Sequence, residues 1–397
     1  MAQRRLSDFG ADSHTTRLSP WPALAATQAT PAARPGRAGS RRLAGITSTI
    51  HSSKHSELAA GTSRKRHPPP TPMSSLWLIT TYFNPLGWRS RRDNYHTFRR
   101  HLDARLLTVS WSPEGNHELE EGDADILIRV DGGDLMWQKE RLINIGLAHL
   151  PDDCDLVGWV DCDILFQEPS WQQKAIELLR DHEVVQLYGA VEDLEAGSTI
   201  DASLESGMQR PSIIQAWQSA DNPENFLEEQ LGIRAQNPHN KPYIPTNMHG
   251  SVGFAWATQR GWLEALGGLP DRRIAGGGDS WIAFALLGHF EAHLTMLNNR
   301  GVNRASEACL LRFAQALQAS PPRLTCLNGV IRHLHHGDLA DRSYMGRHID
   351  LQSTSFLPDE HLELAPSGAW RFNAEAPAAI REVMARYFAS RREDGHA

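Results

Sequence analysis

Residues 156–166 read LVGWVDCDILF, an apolar segment of strand length that meets two aspartates and then becomes apolar again. A buried strand seldom ends in paired charges, because an unpaired carboxylate is costly to remove from water. In open α/β sheets, ligands bind beyond the carboxyl ends of the strands. We therefore expect Asp161 and Asp163 to lie at a ligand site on the edge of a sheet.

From Met73 onward, short β-rich segments alternate with helical ones. Strands are predicted at 76–80, 106–110, 126–130, 156–160 and 184–188, and helices near 90–102, 135–149 and 171–181. Later strands are expected at 252–257 and 330–334, and later helices near 279–289 and 376–389. This alternation predicts an α/β fold with a mostly parallel, Rossmann-like sheet that carries helices on both faces.

Composition divides the chain into three parts. Residues 1–72 carry 11 basic and 3 acidic residues without sustained periodicity, which is typical of a disordered basic extension. A start codon assigned too far upstream of Met73 is the explanation we favour for it. Residues 73–350 are predicted to form the α/β domain, with a polar, loop-rich insertion at 195–250. Residues 351–397 are predicted to form a helical tail.

The charge balance and the cysteines exclude several classes of protein. Residues 73–397 hold 29 basic and 44 acidic residues, and such an acidic body argues against nucleic-acid binding. No apolar segment approaches the roughly 18 residues of a membrane span. The four cysteines lack the spacing of a zinc site or a disulfide frame, so we expect a reducing, cytoplasmic location.

Two carboxylates one residue apart can direct one group to a divalent cation and the other to a second ligand. Oxygen ligands suit Mg²⁺ or Mn²⁺. The same spacing occurs at 123–125 and 153–155, but both of these pairs precede a strand, in turns where aspartate caps and solvates the chain. The position after a strand favours a metal site at Asp161 and Asp163, and capping of the next turn is the alternative.

Two later segments carry further polar groups. Residues 275–281 read AGGGDSW, in which the glycines permit close backbone approach to a ligand and Asp279 is either a helix cap or a general base. Residues 331–338 read IRHLHHGD, with His333 and His335 on one strand face and His336 beyond the strand end. These imidazoles are either metal ligands or solvated residues.

Polar residues near the first two predicted helices offer weaker candidates. Thr80, Thr81 and Tyr82 follow the first strand, where a nucleotide-binding sheet would hold a base or ribose. Arg91 could reach a phosphate or belong to a solvated helix face. Lys139 could support the site or pair with neighbours on a helix surface.

Together these segments resemble glycosyltransferases of the GT-A fold, of the family-2-like and galactosyltransferase-type groups, from about residue 76 to 347. The resemblance is carried by Thr80–Tyr82, by Asp161–Asp163, by Gly276–Asp279 with Gly253-Phe254 ahead of it, and by His336-Gly337. It implies a nucleotide-diphosphate sugar donor, Mn²⁺ or Mg²⁺, and a carbohydrate or other hydroxyl acceptor. The galactosyltransferase-type pattern WGGED is replaced here by GGGDS, so one acidic residue is missing.

The resemblance also implies a role for each matching residue. Asp163 would coordinate the metal, Asp161 would contact ribose or metal, and His336, or else His333, would complete the metal site. Asp279 would act as the base of an inverting reaction. Donor contacts would come from Thr80, Thr81, Tyr82, Arg91, Lys139, Asp161, Gly277 and Gly278.

The expected function is therefore metal-dependent transfer of a hexose-type sugar to a hydroxyl group. Two alternatives remain open. A sugar nucleotidyltransferase also uses a carboxylate–metal site, but it typically begins with a glycine-rich phosphate loop that Thr80–Pro85 does not provide. A non-catalytic sugar-binding protein could share the same fold. A dehydrogenase is disfavoured, because no G-x-G-x-x-G follows an early strand.

Overall fold

The structure is a computed structural model that describes residues 75–198, 200, 209–223, 226, 250–291, 308–343 and 346–395. These residues belong to one compact unit, 68–397. The predicted extension at 1–72 lies outside the described residues, and so does most of the predicted insertion at 195–250. The proposed domain boundaries stay a prediction.

Thirteen strands and ten α-helices are named here for the described part of the chain. The strands are β1 (Ser75–Phe83), β2 (Arg105–Ser112), β3 (Ile126–Asp131), β4 (Cys154–Val160), β5 (Ile164–Phe166), β6 (Val184–Gln186), β7 (Ala190–Asp193), β8 (Gln209–Pro211), β9 (Ala255–Gln259), β10 (Leu324–Cys326), β11 (Val330–His333), β12 (Leu362–Leu364) and β13 (Trp370–Phe372). The helices are α1 (Arg89–His101), α2 (Lys139–Leu147), α3 (Trp171–Leu178), α4 (Ile213–Gln218), α5 (Arg260–Ala265), α6 (Gly278–Leu286), α7 (Ala308–Ala319), α8 (Gly346–Gln352), α9 (Pro358–His361) and α10 (Ala379–Ser390).

The central sheet has seven strands in the order β10-β6-β9-β4-β1-β2-β3. Strand β1 pairs in parallel with β2 and β4, β2 pairs in parallel with β3, and β10 pairs in parallel with β6. Strand β9 is antiparallel to both of its neighbours, β4 and β6. The predicted mostly parallel α/β sheet is therefore confirmed.

Both faces of this sheet are covered, as the side chains of β1 show. Trp77 and Ile79 point into an apolar cluster that includes residues of α2, α5 and α6. Leu76 and Leu78 alternate with them and point into a second cluster, which includes Tyr95 of α1 and residues of α3. This two-sided burial explains why the strand is apolar throughout rather than alternating.

A second sheet of four strands has the order β5-β11-β7-β8. Strand β11 is antiparallel to β5 and parallel to β7, and its last residue, His333, lies opposite Ile164 and Asp193. The chain crosses from the central sheet to this one between β4 and β5. Residues Asp161–Asp163 form that crossing, so the predicted ligand segment lies at the junction of the two sheets.

Several predicted elements shift in their bounds. The helix expected at 135–149 begins at Lys139, and the strand expected at 252–257 begins at Ala255. The latter starts late because Phe254 has a φ of 71°, which a strand does not accommodate. All four cysteines are free thiols.

Within the described residues, none of the helices is both long enough and apolar enough to cross a bilayer.

Candidate active site

The crossing segment is held by backbone hydrogen bonds on both sides. The amide of Asp161 donates to the carbonyl of Phe254 at 2.7 Å, and the amide of Leu334 donates to the carbonyl of Asp163 at 2.8 Å. The first bond reaches the turn before β9 and the second reaches the residue after β11. The two aspartates are thus fixed between the Gly253-Phe254 turn and the histidine segment.

Asp163 meets two imidazoles in a buried cluster. Nε2 of His336 lies 3.2 Å from Oδ2 of Asp163, and Nε2 of His333 lies 3.9 Å from Oδ1. The two Nε2 atoms are 3.1 Å apart. One ligand atom from each residue lies within 4.8 Å of the others, which is the spacing of a shared cation. The structure thus brings together three of the four residues named from sequence as metal candidates, and the fourth, Asp161, is not part of this cluster.

The donor set fits a divalent metal on two grounds. Oδ1 of Asp163 is buried and has no hydrogen-bond partner among the described residues, so a cation there would satisfy an atom that is otherwise costly to bury. Imidazole and carboxylate together suit first-row divalent ions. Because Mg²⁺ prefers an all-oxygen set, the two imidazoles suit a first-row transition-metal ion better than Mg²⁺.

Carboxylates lie behind both imidazoles. Nδ1 of His333 is 2.9 Å from Oδ1 of Asp193, and Nδ1 of His336 is 3.5 Å from Oε2 of Glu393. Such partners fix the orientation of a ligating histidine and leave its other nitrogen for the metal. Each ring therefore presents Nε2 to the cluster.

Charge and burial in the cluster favour an ionised Asp163 and a neutral His336 ring. Burial alone would raise the pKa of Asp163, but His336, His333 and the cations Arg91 and Arg342 lower it. Burial lowers the pKa of His336 to about 4, and the Arg342 guanidinium, 3.0 Å from its Nε2, acts in the same direction. A neutral imidazole is the form that binds a metal.

Asp161 lies outside that cluster and pairs with Lys139. The ammonium of Lys139 is 2.6 Å from Oδ1 of Asp161 and 3.0 Å from Oδ1 of Asp279. Burial lowers the pKa of Lys139, but the two aspartates raise it well above its usual value. One cation therefore links the end of β4 to the start of α6. Burial, together with the charges of Asp279 and Asp163, raises the pKa of Asp161 to about 6, although Lys139 opposes the shift.

The glycine-rich segment brings the chain close to this network. Gly276 and Gly277 have φ values of 75° and 85°, a conformation that favours glycine, and α6 begins at the next residue. A Cβ on Gly278 would lie 2.1 Å from Oε1 of Glu140, and a Cβ on Gly253 would lie 3.2 Å from Oδ2 of Asp279. The missing side chains are what allow the acidic groups to lie here.

Glu140 is a buried carboxyl group next to Lys139 on α2. It is 2% exposed, and its Oε1 has no hydrogen-bond partner among the described residues. Burial and the nearby charge of Asp279 raise its pKa to about 8, while Lys139 acts to lower it. Glu140 is therefore largely protonated at neutral pH.

The residues expected to hold the nucleotide are more dispersed. Thr80 is fully buried and its hydroxyl donates to the carbonyl of Val160 at 2.7 Å, which ties β1 to β4. Tyr82 is 2% exposed and its hydroxyl donates to Glu118 at 2.5 Å. Thr81 is partly exposed at the end of β1. Arg91 pairs with Glu393 at 2.8 Å. The binding role of these four residues stays a prediction.

Two carboxylates of the site, Asp193 and Glu393, carry no local signal in the sequence. Asp193 is recognisable only through the β7–β11 register that places it opposite His333. Glu393 lies in a polar segment after the last helix. Phe254 gives a clearer structural signal, because its positive φ places its ring 4.9 Å from that of His333. Strain of this kind concentrates at functional sites.

No protein-family model matches the sequence, and no curated protein matches it. The chain is similar in structure to glucosyl-3-phosphoglycerate synthase from Mycobacterium tuberculosis, with 12% identity, a TM-score of 0.32, and coverage of 77% of this chain and 88% of that one. It is also similar to the mannosyltransferase PcManGT from Pyrobaculum calidifontis, with 15% identity, a TM-score of 0.33, and coverage of 82% and 72%.

A third similar structure is 4-diphosphocytidyl-2C-methyl-D-erythritolsynthase from Anaerococcus prevotii, with 11% identity, a TM-score of 0.27, and coverage of 64% of this chain and 87% of that one. At these TM-scores the similarities do not indicate an activity. The function is inferred below from the residues of the chain itself.

Proposed function

We propose that this chain is a metal-dependent glycosyltransferase that moves a sugar from a nucleotide-diphosphate sugar donor to a hydroxyl acceptor. The observation that carries the proposal is the pairing of two features at the junction of the sheets. One is the buried Asp163–His333–His336 cluster, and the other is the Lys139 ammonium that joins Asp161 to Asp279. A cation site next to an exposed carboxylate suits departure of a diphosphate and attack by a hydroxyl.

Asp163, His333 and His336 would hold the metal, with Mn²⁺ favoured over Mg²⁺ by the two imidazoles. When bound, the ion supplies positive charge that offsets the charge of a departing diphosphate. Asp161, next to the cluster and 27% exposed, would accept hydrogen bonds from a ribose. The other donor contacts that we propose are Thr80, Thr81, Tyr82, Arg91, Lys139, Gly277 and Gly278.

Asp279 is the proposed general base of an inverting reaction. Its side chain is 28% exposed at the start of α6, so one oxygen can face an acceptor hydroxyl while the other is held by Lys139. The Lys139 ammonium, 3.0 Å from Oδ1, orients the carboxylate. The acceptor proton would pass to Asp279 as the hydroxyl oxygen attacks the anomeric carbon. We expect the hexosyltransferase type and a cytoplasmic location.

The test compares two Asp-Cys-Asp segments of the same chain. Asp163→Ala removes the metal carboxylate, whereas Asp155→Ala alters the matching position of the other segment, an exposed residue at the start of β4, and serves as the control. Thermal unfolding with UDP or GDP is measured with and without Mn²⁺, and release of nucleotide is measured from a panel of nucleotide sugars.

We expect Asp163→Ala to lose the Mn²⁺-dependent stabilisation and at least ~100-fold of the turnover, because the ligand itself is removed. Asp155→Ala should match the wild-type chain. Unchanged turnover in Asp163→Ala would refute the metal assignment. Sugar binding without any turnover would favour a non-catalytic protein, and release of pyrophosphate from a sugar phosphate and a nucleoside triphosphate would favour a nucleotidyltransferase.

A further inference from the structure

The segment Arg391–Gly395, which follows α10, lies against two parts of the site. The carboxylate of Asp394 accepts hydrogen bonds from the backbone amides of Ser90 at 2.7 Å and Arg89 at 3.1 Å, at the start of α1. The hydroxyl of Ser90 donates to the carbonyl of Glu393 at 2.8 Å. These bonds anchor the segment to the first helix.

On its other side the segment contacts the turn that follows β11. A Cβ on Gly337 would lie 2.8 Å from the carbonyl oxygen of Arg392 and 2.9 Å from Cα of Glu393, so only glycine permits this approach. Gly337 directly follows His336. The 391–395 segment therefore packs on the backbone that carries one of the candidate metal ligands.

Glu393 is the buried residue of the segment, at 2% exposure. Its carboxylate lies 2.8 Å from Arg91 and 2.5 Å from Arg391, and 3.5 Å from Nδ1 of His336. Both of its oxygens thus face guanidinium donors, and a carboxylate held in this way presents an acceptor to the imidazole.

An acceptor at Nδ1 determines which nitrogen of His336 carries the proton. With the proton on Nδ1, the lone pair of the neutral ring is on Nε2, which faces Asp163 at 3.2 Å. Asp193 stands in the same relation to His333, with 2.9 Å between Oδ1 and Nδ1. Both rings thus have a carboxylate behind them, from β7 in one case and from the 391–395 segment in the other.

We propose that Glu393 is a positioning residue that orients His336 for metal binding, so that docking of the 391–395 segment and occupation of the metal site are coupled. The inference rests on the proposed metal site but not on any transfer of sugar. Coupling of this kind is reciprocal. If the docked segment increases the affinity for the metal, the bound metal stabilises the docked segment by the same free energy.

The test measures metal binding directly. Co²⁺ is titrated into the full chain and followed by its visible absorption bands, and Mn²⁺ is titrated by calorimetry. Removal of such a carboxylate partner typically costs 10–100-fold in metal affinity, and we expect about that loss for Glu393→Ala. Glu393→Gln keeps an acceptor oxygen, so its metal affinity should lie between those of Glu393→Ala and the wild type. It also provides the measurement if the alanine variant does not fold. Glu382→Gln, on the exposed face of α10, is the matched control and should bind within about twofold of wild type.

A second measurement reports the reverse direction of the coupling. Hydrogen exchange at 391–395 should slow when Mn²⁺ is added to the wild-type chain but not when it is added to Asp163→Ala. A role for Glu393 in stability alone would lower the unfolding temperature without altering the Co²⁺ spectrum or the affinity.

Metal affinity of both Glu393 variants within about twofold of wild type would overturn the inference. Failure of the wild-type chain to bind either ion would overturn both this inference and the proposed metal site. Metal binding that depends on Glu393, in a chain that transfers no sugar, would refute the proposed function and leave the inference standing.

Discussion

The carboxyl group of Glu140 packs against Gly278, and its environment has a measurable consequence. A carboxyl group whose pKa is about 8 in the folded chain, against an ordinary value of 4.5, holds a proton that the unfolded chain releases. The stabilisation linked to this proton is complete below pH 4.5 and is lost as pH rises towards 8. Lys139, Asp161 and Asp279 are the charged groups that influence it.

We predict that the free energy of unfolding falls by on the order of 3 kcal/mol between about pH 5 and 8 through this group, since each pH unit contributes up to about 1.4 kcal/mol. Glu140→Gln should remove that part of the pH dependence and make the chain relatively more stable at pH 8. Urea unfolding at several pH values checks this. Glu177→Gln, exposed on α3, is the control, and parallel curves for wild type and Glu140→Gln would contradict the prediction.

The candidate site shows which residues can be predicted from the sequence. Asp161, Asp163 and Asp279 could be named because each stands at a strand end or a helix start, a context visible within ten residues. Both His333 and His336 lie in the cluster, although the sequence could not decide between them. Asp193 and Glu393 could not be named, because their roles depend on strand register and on the packing of a distant segment.

Helix α2 connects to the rest of the site through its first residue, Lys139. This side chain is 9% exposed, and it pairs with two carboxylates, one directly after β4 and one in α6. Removing one member of a buried ion pair is more damaging than replacing the whole pair, because the remaining charge is left uncompensated.

We predict that Lys139→Met lowers the free energy of unfolding by about 1–3 kcal/mol, a value discounted for the partial exposure of both aspartates. Lys174→Met is a suitable comparison, because its pair with Glu168 is exposed to water and should contribute much less to the free energy of unfolding. Denaturant unfolding of both variants measures the difference. An equal loss of unfolding free energy in the two variants would contradict the prediction that Lys139 contributes more to stability than an exposed lysine.

The order of elements in the first half of the chain could be predicted because strands alternate there with helices of distinct periodicity after β1, β3 and β5. The parallel group β1, β2, β3 and β4 follows directly from that alternation. Strand β9 was predicted to exist, but its antiparallel insertion between β4 and β6 was not. The neighbours of β9 are determined by pairing with strands far away in the sequence, and the hydrophobic pattern of its five residues does not indicate which strands these are.

Considering the chain as a whole, the acidic α/β unit and the basic residues 1–72 differ sharply in charge and composition. We predict that deletion of 1–72 leaves both the unfolding temperature and nucleotide-sugar turnover unchanged, since the described site draws all its residues from positions after 75. Paired measurements on the full and shortened chains test this. Loss of turnover in the shortened chain would contradict the interpretation of an extension without a role in the site.

The insertion of β9 also constrains when the site can assemble. Leu156 at the start of β4 pairs with Gln259, and the amide of Asp161 bonds to Phe254, so one edge of β4 stays open until the chain has been made beyond β9. Pairings between such distant segments are slow to form, because a long loop must close first. Nascent chains that end before β9 should therefore expose an apolar strand edge, and folding on the ribosome would depend on protecting that edge until its partner emerges.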